Sequence, residues 1–482
     1  MAHTDDSDHL PETEDLPTEL YARTAEHART YLASLATADV APIVSLDALR
    51  RRLGGPLPDD GEAPEDIIDG LVEATRGGLM GSAGGRFFGW VIGGSLPAAL
   101  AADWLTSTWD QNAALYACSP AEAVIEEVCG QWLKSLLGLP SEASFGLVSG
   151  CQMAHVTALA SARYRLLARR DWDVEAEGLF AAPPVRVLTS EHRHASLDRA
   201  VRLLGVGSRS VQTIGSRKDG RIDVSALRRS LGQSDAATVV VLQAGDINTG
   251  LFDPFAEAIA VAREHDAWVH VDGAFGLWAA ASPKYRHLLD GVELADSWAT
   301  DAHKWLNVPY DSGLVFVADH AAHRCAMSNR ASYLVHAEDG GPRDQIDWNP
   351  EWSRRGRGVA LYAALRSLGR TGLAELIERT SGHAATLVDR IGALPGVEIL
   401  SRAHLNQGLV RFLAADGNHD YRTDRVVDAI QAEGTSWFGG TTWNGMRAMR
   451  VSVCNWQTTD NDVDRTVAAV SHLLDASAPK VG

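Results

Sequence analysis

The chain has 482 residues, a formal net charge of −18 at neutral pH and 45% hydrophobic residues. Its length allows two or three domains, or one large α/β core with smaller additions. The acidic excess repels phosphate backbones and anionic membranes, so nucleic acid is not an expected partner. Five cysteines without the spacing of a metal site favour reduced thiols in a cytoplasmic protein over a disulfide framework.

The N-terminal 20 residues are rich in Asp, Glu, Thr and Pro, which predicts a flexible acidic segment without a secretory signal. Helical spacing at residues 21–35 and 66–75 then indicates an N-terminal arm that continues to about residue 115. The most apolar stretch, residues 90–105, is interrupted by Pro97, whereas a membrane span needs about 20 consecutive apolar residues. We therefore expect a soluble protein.

A well-marked helix is predicted from residue 119 onwards. Ser119 suits the N-cap, Pro120 suits the first helical position, and Glu122 would complete a capping box with Ser119. Apolar residues recur at three- and four-residue steps until Gly138 ends the pattern. This helix opens residues 116–355, which we predict to be the large domain.

Short apolar runs alternate with amphipathic stretches through the large domain. The runs predicted to be strands are residues 185–189, 210–214, 238–242, 268–271 and 314–317. The helices predicted between them are residues 195–204, 224–231 and 254–265. Strands that are apolar throughout indicate a mostly parallel sheet covered by helices on both faces. Ligands of such sheets bind at the carboxyl ends of the strands.

The pattern changes after residue 355. A long helix is predicted over residues 359–391, with an interruption near Gly369 and Gly372. Strands follow at residues 397–400, 409–413, 436–438 and 449–453, and helices at 424–433 and 460–474. These elements predict a small α+β domain at residues 356–482.

The segment TDAHKWL, residues 300–306, places Lys304 among apolar neighbours, and lysine is rarely buried without a partner or a covalent role. Asp272, 32 residues earlier, ends an apolar strand in the segment HVDGA. Pyridoxal phosphate (PLP) requires this pair, an amine for its aldehyde and a carboxylate for its ring nitrogen. Asp272 could alternatively cap the next helix. Burial and neighbouring cationic groups are expected to lower the pKa of Lys304.

Two further segments have the chemistry of a PLP site. Residues 148–153, VSGCQM, form a small-residue turn before a helix, where free backbone N–H groups suit a phosphate dianion. His194 follows a predicted strand and could stack on a pyridine ring. The chain has 17 histidines, so a chance placement is the alternative explanation.

These segments, in this order, resemble the group II PLP-dependent amino-acid decarboxylases, which include the aromatic-L-amino-acid and glutamate decarboxylases. The resemblance covers residues 70–470. It implies the aspartate aminotransferase fold type, fold type I. In that fold a large α/β domain contains a mostly parallel seven-stranded sheet, joined by an N-terminal arm and a small C-terminal α+β domain. It also implies a homodimer.

The resemblance assigns roles to individual residues. Lys304 would carry the Schiff base with the cofactor, Asp272 would pair with the pyridinium nitrogen, and Ala274 and His194 would pack on opposite faces of the ring. Asp246, which stands where a threonine is common, would lie beside the cofactor. The residues that would surround the phosphate are Gly150, Cys151, Gln152 and His303.

A substrate pocket completed across the dimer interface is also implied. The segment RFFGWVIGGSLP matches the family's aromatic stretch, and ordinary core packing is the alternative explanation for it. Its predicted substrate contacts are Phe88, Trp90, Ile92 and Gly93. Arg450 lies in a matching strand, where it would bind a carboxylate or a structural partner. The aromatic residues mildly favour an aromatic or bulky substrate.

The chain departs from the family where the reaction ends. The family uses a tyrosine on a mobile loop to return a proton after carbon dioxide leaves. The matching position falls near Gln345 in residues 339–350, a stretch without tyrosine, and Tyr333 lies just before it.

We therefore expect PLP-dependent decarboxylation of an L-amino acid. The alternative outcomes are oxidative deamination to an aldehyde, transamination, and carbon–carbon bond cleavage or formation. A PLP-binding regulator is the non-enzymatic alternative, which the retained Lys304 and the lack of a basic patch disfavour.

Overall fold

The computed structural model describes residues 18–329 and 341–476. Most of the predicted acidic segment, residues 1–17, and Tyr333 lie outside the described residues. The chain divides into two compact units between Gly81 and Ser82. The domain boundaries predicted near residues 20, 115 and 355 stay predictions.

The N-terminal unit contains three helices, α1 (Thr18–Ser34), α2 (Leu46–Leu53) and α3 (Pro64–Thr75). A polar cluster joins α1 to α3, because Asp69 contacts His27 at 2.6 Å and Arg23 at 3.1 Å. Ser45 caps α2 by accepting a hydrogen bond from the backbone N–H of Ala48.

The second unit contains the remaining elements, which are connected in places by short 3₁₀ helices. Its helices are α4 (Pro97–Trp109), α5 (Pro120–Leu137), α6 (Cys151–Ala168), α7 (Val174–Glu177), α8 (Ala195–Leu203), α9 (Val224–Leu231), α10 (Phe255–Arg263), α11 (His320–Met327), α12 (Gly358–Gly392), α13 (His419–Glu433) and α14 (Asp460–Ala476). Its strands are β1 (Ser144–Val148), β2 (Val185–Ser190), β3 (Val211–Ile214), β4 (Ala237–Gln243), β5 (Trp268–Asp272), β6 (Ser297–Asp301), β7 (Gly313–Val317), β8 (Val397–His404), β9 (Gln407–Phe412), β10 (Gly439–Trp443) and β11 (Met446–Ser452).

Seven strands form one sheet in the order β1-β7-β6-β5-β4-β2-β3. Only β7 runs antiparallel to its neighbours, which confirms the predicted mostly parallel sheet. Side chains of β4 alternate between two apolar clusters, with Val240 and Leu242 in one and Val239 and Val241 in the other. Because successive side chains of a strand point to opposite faces, both faces of the sheet are buried. No helix among the described residues is long and apolar enough to cross a bilayer.

A second, antiparallel sheet has the order β10-β11-β9-β8 and packs with α12, α13 and α14 around a third apolar cluster. The strand predicted at residues 436–438 is wrong, because β10 begins only at Gly439. Trp437 instead forms an isolated bridge with Phe87 and stacks on its ring at 5.0 Å. The predicted interruption of α12 is confirmed at Gly369, whose φ of 60° is readily adopted only by glycine.

The capping box predicted at the start of α5 is wrong. The Ser119 side chain makes no capping hydrogen bond. Its backbone N–H already donates to the carbonyl oxygens of Leu115 and Tyr116, so Glu122 has no donor to satisfy there. Glu122 is buried against Gly356 instead, where burial and the nearby Glu126 raise its pKa to about 7.

A buried ion pair joins α5 to the segment that precedes α12. The Arg354 guanidinium contacts the two carboxylate oxygens of Glu126 at 2.7 and 2.8 Å, and both side chains are almost completely buried. Two charges removed from water depend on each other, because either one alone would lose its hydration without compensation.

Replacing Glu126 by glutamine should therefore leave the Arg354 charge buried and uncompensated. We expect Glu126→Gln to lower the free energy of unfolding by about 3–5 kcal/mol, measured by urea denaturation. The exposed neighbour Glu127 provides the control, and Glu127→Gln should change stability by less than about 0.5 kcal/mol. Equal small effects of the two substitutions would contradict a dependent buried pair.

Candidate active site

A cavity of about 450 Å³ lies where β4, β5 and β6 end and α6 begins. Such a position is typical of ligand sites in parallel α/β sheets. Eight of the predicted cofactor residues line it, namely Gly150, Cys151, Gln152, His194, Asp272, Ala274, His303 and Lys304. Because β5 and β6 are adjacent, Asp272 at the end of β5 and Lys304 just after β6 open into the same space.

The Lys304 amine lies 3.0 Å from a carboxylate oxygen of Asp301. The expectation of a lowered pKa is wrong for this structure. Burial alone would lower the pKa of Lys304, but the charge of Asp301 and its hydrogen bond outweigh burial and raise it above its usual value. The amine is therefore held in its charged form.

Asp301 is a site residue that the sequence analysis missed. It ends β6 and is 2% exposed. One carboxylate oxygen accepts a hydrogen bond of 2.6 Å from the backbone N–H of Cys151, and the other lies 3.0 Å from Lys304 and 3.6 Å from His303. A carboxylate three residues before the candidate lysine was the signal available in the sequence.

Asp272 is held as a carboxylate. Burial would raise its pKa, but His155 at 3.5 Å, with smaller contributions from His194 and Lys304, lowers it well below its usual value. One oxygen also accepts a hydrogen bond of 3.2 Å from the backbone N–H of Ala274. Asp272 thus remains charged throughout the physiological pH range.

His194 lies at the cavity wall as the N-cap of α8. Its Nδ1 atom accepts a hydrogen bond from the backbone N–H of Ser196 at 3.2 Å, which fixes the ring at the start of the helix. Removal from bulk water lowers the pKa of His194, Asp272 opposes the shift, and Lys304 reinforces it. The imidazole is therefore neutral near pH 7.

His303 occupies the other side of Lys304. Its Nδ1 atom accepts a hydrogen bond of 3.3 Å from the Ser312 N–H, and its ring contacts the Tyr310 ring with centroids 4.4 Å apart. Burial lowers the pKa of His303, and burial also raises that of Tyr310 to about 12.

The turn before α6 can hold an anion. Gly150 is the N-cap, and the first helical residues, Cys151 and Gln152, line the cavity. The side-chain Nε2 of Gln152 is buried and finds no hydrogen-bond partner in the described part of the chain. An unpaired buried donor beside a helix N-terminus fits a phosphate group. The amine, carboxylate and anion site together fit PLP.

Three predicted residues pack elsewhere than on the cavity wall. Phe88 is completely buried in the third apolar cluster and stacks on Phe438 at 5.2 Å. Asp246 accepts hydrogen bonds from the backbone N–H groups of Asn248 and Thr249, so one oxygen caps its own turn. Arg450 donates to the carbonyl oxygen of Ile247, a cavity residue, at 3.1 Å.

The other predicted substrate contacts do not line the cavity. A β-carbon at Gly93 would collide with the carbonyl oxygen of Lys304, so this glycine allows the lysine backbone to approach. Trp90 is 53% exposed and contacts Trp437 with ring centroids 4.7 Å apart. Ile92, which lies between Trp90 and Gly93 in the sequence, is partly buried and does not line the cavity.

Gln345 is buried and 1% exposed, in a short 3₁₀ helix. Its side-chain oxygen accepts a hydrogen bond from Arg343, and it does not line the cavity. Residues 330–340, which precede this stretch, lie outside the described residues.

The cavity also includes residues that the sequence analysis did not select. They are Ala195, Ser196, Arg199, Gln243, Gly245, Ile247, Phe275 and Asp301. Behind the cavity, His155 contacts Asp272 and His270. Spacing was the signal for both histidines, since His155 is four residues after Cys151 on α6 and His270 is two residues before Asp272 on β5.

Comparison with known proteins agrees with the fold. The pyridoxal-dependent decarboxylase conserved domain matches residues 48–415. An aromatic-L-amino-acid decarboxylase of Bacillus atrophaeus is 26% identical over 90% of this chain and 91% of its own. A 4-hydroxyphenylacetaldehyde synthase of Rhodiola rosea is 26% identical over 90% of each chain. An L-2,4-diaminobutyrate decarboxylase of Rhizobium meliloti is 28% identical over 77% of this chain and 74% of its own.

The fold is also similar to that of Oryza sativa TDC, solved with PLP and tryptamine. The TM-score is 0.90 and the identity 22%, with 97% of this chain and 99% of that chain covered. The family match and the cavity at the strand ends together define a PLP-dependent enzyme. The chain belongs to the pyridoxal-dependent decarboxylase family.

If Lys304 attaches PLP, its contact with Asp301 can be tested through the rate at which the apoprotein binds the cofactor. The attacking form is the uncharged amine, so a raised pKa makes the rate climb about tenfold per pH unit around neutrality. Asp301→Asn removes the charge but keeps an oxygen for the Cys151 N–H. The pKa of Lys304 should then fall, and the rate should level off at a lower pH.

Stopped-flow absorbance between pH 6 and 10 measures this rate. Asp311→Asn is the control, because Asp311 lies on the same loop but pairs with Arg357 at 3.0 Å. It should keep the parent profile. An unchanged profile for Asp301→Asn would contradict the control of Lys304 by Asp301.

Proposed function

We propose that this protein decarboxylates an L-amino acid with PLP bound in the cavity. The proposal is carried by one observation. The Lys304 amine and the Asp272 carboxylate lie at the ends of adjacent strands and line the same cavity. Membership of the pyridoxal-dependent decarboxylase family supports it.

When bound, PLP supplies an electron sink for the bonds at the substrate's α-carbon. Lys304 provides the amine that holds its aldehyde, and Asp301 holds the lysine proton until it leaves. Asp272, kept charged by its surroundings, can hold a proton at the ring nitrogen. His194, kept neutral, would pack on one face of the ring and add no competing positive charge.

The phosphate end lies at the start of α6. The backbone at Gly150 and Cys151, the free Nε2 of Gln152 and the neighbouring His303 would hold the phosphate. Arg199 also lines this cavity and adds a positive charge to its wall. These contacts orient the cofactor and leave the substrate free to exchange.

An aromatic or bulky substrate is supported by one local feature. Phe87, Trp90 and Trp437 form a cluster of stacked and tilted rings, and Trp90 is half exposed. Phe88 packs in the core and does not support this preference. The names of the three relatives give different substrates or products. A panel of amino acids is therefore required to identify the substrate.

A homodimer in the cytoplasm is part of the proposal. Half-exposed Trp90, Trp104 and Trp109 would be covered by a second copy of the chain. All five cysteines are free, as in a reducing compartment.

Lys304→Ala tests the proposed attachment. The visible absorption band of lysine-bound PLP should be absent, and carbon dioxide release should fall at least about 1,000-fold because the covalent anchor is missing. Exposed Lys218 supplies the control, and Lys218→Ala should keep the band and the rate. A full band in Lys304→Ala would assign attachment to another lysine.

Oxidative deamination to an aldehyde is the second candidate. The observation that favours it is the Gln345 side chain, which is buried, bonded to Arg343 and outside the cavity, in a stretch without tyrosine. None of the described residues of that stretch, 341–350, lines the cavity, so none is placed there to return a proton to the α-carbon. A carbanion that persists can react with oxygen.

The two outcomes differ in their products. We expect the holoenzyme, given the twenty amino acids in turn, to release one carbon dioxide and one amine per turnover, at equal rates with and without oxygen. Oxygen uptake with ammonia, hydrogen peroxide and aldehyde would establish the second candidate instead. Absence of carbon dioxide from every amino acid would reject decarboxylation. Mass spectrometry and an oxygen electrode measure these products.

A further inference from the structure

A line of four buried polar side chains leads to Asp272 from behind the cavity. It consists of Trp268 and His270 on β5, Ser297 on β6 and His155 on α6, each no more than 3% exposed. Neighbouring atoms are 2.9 Å apart at every step: Trp268 Nε1 to Ser297 Oγ, Ser297 Oγ to His270 Nδ1, and His270 Nε2 to His155 Nδ1. His155 Nε2 then lies 3.5 Å from Asp272 Oδ2.

The first residue gives this line a direction. An indole N–H can only donate, so Ser297 accepts from Trp268 and its hydroxyl proton is free to donate to His270 Nδ1. The His270 ring then carries its proton on Nε2 and donates to His155 Nδ1. His155 in turn carries its proton on Nε2, which faces the Asp272 carboxylate. Every donor has an acceptor in this arrangement.

The reverse arrangement satisfies fewer groups. If His155 donated to His270, then His270 would donate to Ser297, whose oxygen already accepts from Trp268. The Ser297 hydroxyl proton would lose its acceptor within this line. A neutral His155 would also direct a lone pair at the Asp272 carboxylate, which is repulsive. Burial, followed by the effect of His155, lowers the pKa of His270 to about 3, so His270 stays neutral.

We propose that His155 is a positioning residue, oriented by the line from Trp268, that holds the Asp272 carboxylate charged and in place for the ring nitrogen of the cofactor. The inference rests on the proposed role of Asp272 and extends it to residues that do not line the cavity. A donor supplied by rigid elements cannot turn away, so the carboxylate keeps one orientation. Residues of this kind affect a site through the group that they hold.

Variants of His155 separate this role from simple packing. His155→Leu keeps the volume but removes the donor, and it should weaken PLP binding about tenfold. The pH at which the absorption band of bound PLP changes should also shift. His155→Gln restores a donor near the Nε2 position and should recover most of the affinity. One side-chain atom each of Cys151, His155 and Asp272 lie within 4.8 Å of one another, a spacing that could bind a metal ion. The titrations therefore contain EDTA.

His323→Leu is the matched control. His323 is completely buried and has contacts of 2.8 Å to Ser144 Oγ and 3.0 Å to the carbonyl oxygen of Trp348, but it does not line the cavity. It should lower thermal stability and leave the PLP dissociation constant and the band unchanged.

Ser297→Ala tests the line at a distance from Asp272. It should weaken PLP binding in the same direction by a smaller factor, and His155→Leu with Ser297→Ala should be no weaker than His155→Leu alone. Losses that multiply independently would overturn the coupling. Ser297→Ala also keeps the inference testable where His155→Leu does not fold.

Asp272→Ala separates the proposed role of Asp272 from the role of His155. If Asp272→Ala binds PLP as tightly as the parent, the proposed role of Asp272 fails. If Asp272→Ala weakens binding while His155→Leu leaves the dissociation constant and band unchanged, only the role of His155 is overturned. Both results come from titrating apoprotein with PLP by fluorescence and absorbance.

Discussion

The contacts of the Asp301 carboxylate determine how the parts of this site meet. The carboxylate ends β6, accepts a hydrogen bond from the first residue of α6 and pairs with Lys304. A charge 2% exposed is stable only if such partners replace its water, so a strand end, a helix start and the lysine must meet at one point. Folding and site assembly therefore depend on the same two contacts. The arrangement also brings the amine next to the anion-binding turn.

The fold could be predicted largely because most strands of the sheet are apolar throughout. The strand β6 was not predicted, because its residues Ser297, Thr300 and Asp301 are polar yet buried. Each has a partner, such as Trp268 for Ser297, which lies far away in sequence. A central strand with polar residues is therefore not recognised from the sequence when the hydrogen-bond partners of those residues are distant along the chain. The wrong capping box at Ser119 has a local cause, since its backbone N–H is satisfied by the preceding turn.

The site residues were predictable where their position in a strand or helix determines the direction in which they point. Residues at strand ends and at the start of α6 meet in one cavity because parallel strands share an edge. Side chains of the aromatic segment RFFGWVIGGSLP were not predictable. Phe88 and Trp90 are two residues apart, yet one is in the core and the other is half exposed. The pKa of Lys304 was misjudged because His303 is its neighbour in sequence, whereas the carboxylate of Asp301 is its neighbour in space.

Family membership accounts for the start of the reaction better than for its end. Attachment of PLP needs an amine, a carboxylate and an anion site, and all three lie on strand ends or a helix start that the fold itself positions. The fate of the α-carbon depends instead on one proton donor, which the fold does not dictate. Proteins of one architecture can therefore diverge in outcome through a single irregular segment. The resemblance predicts that position near Gln345, whose side chain is buried and does not line the cavity. Overall similarity to other proteins therefore does not determine whether the products depend on oxygen.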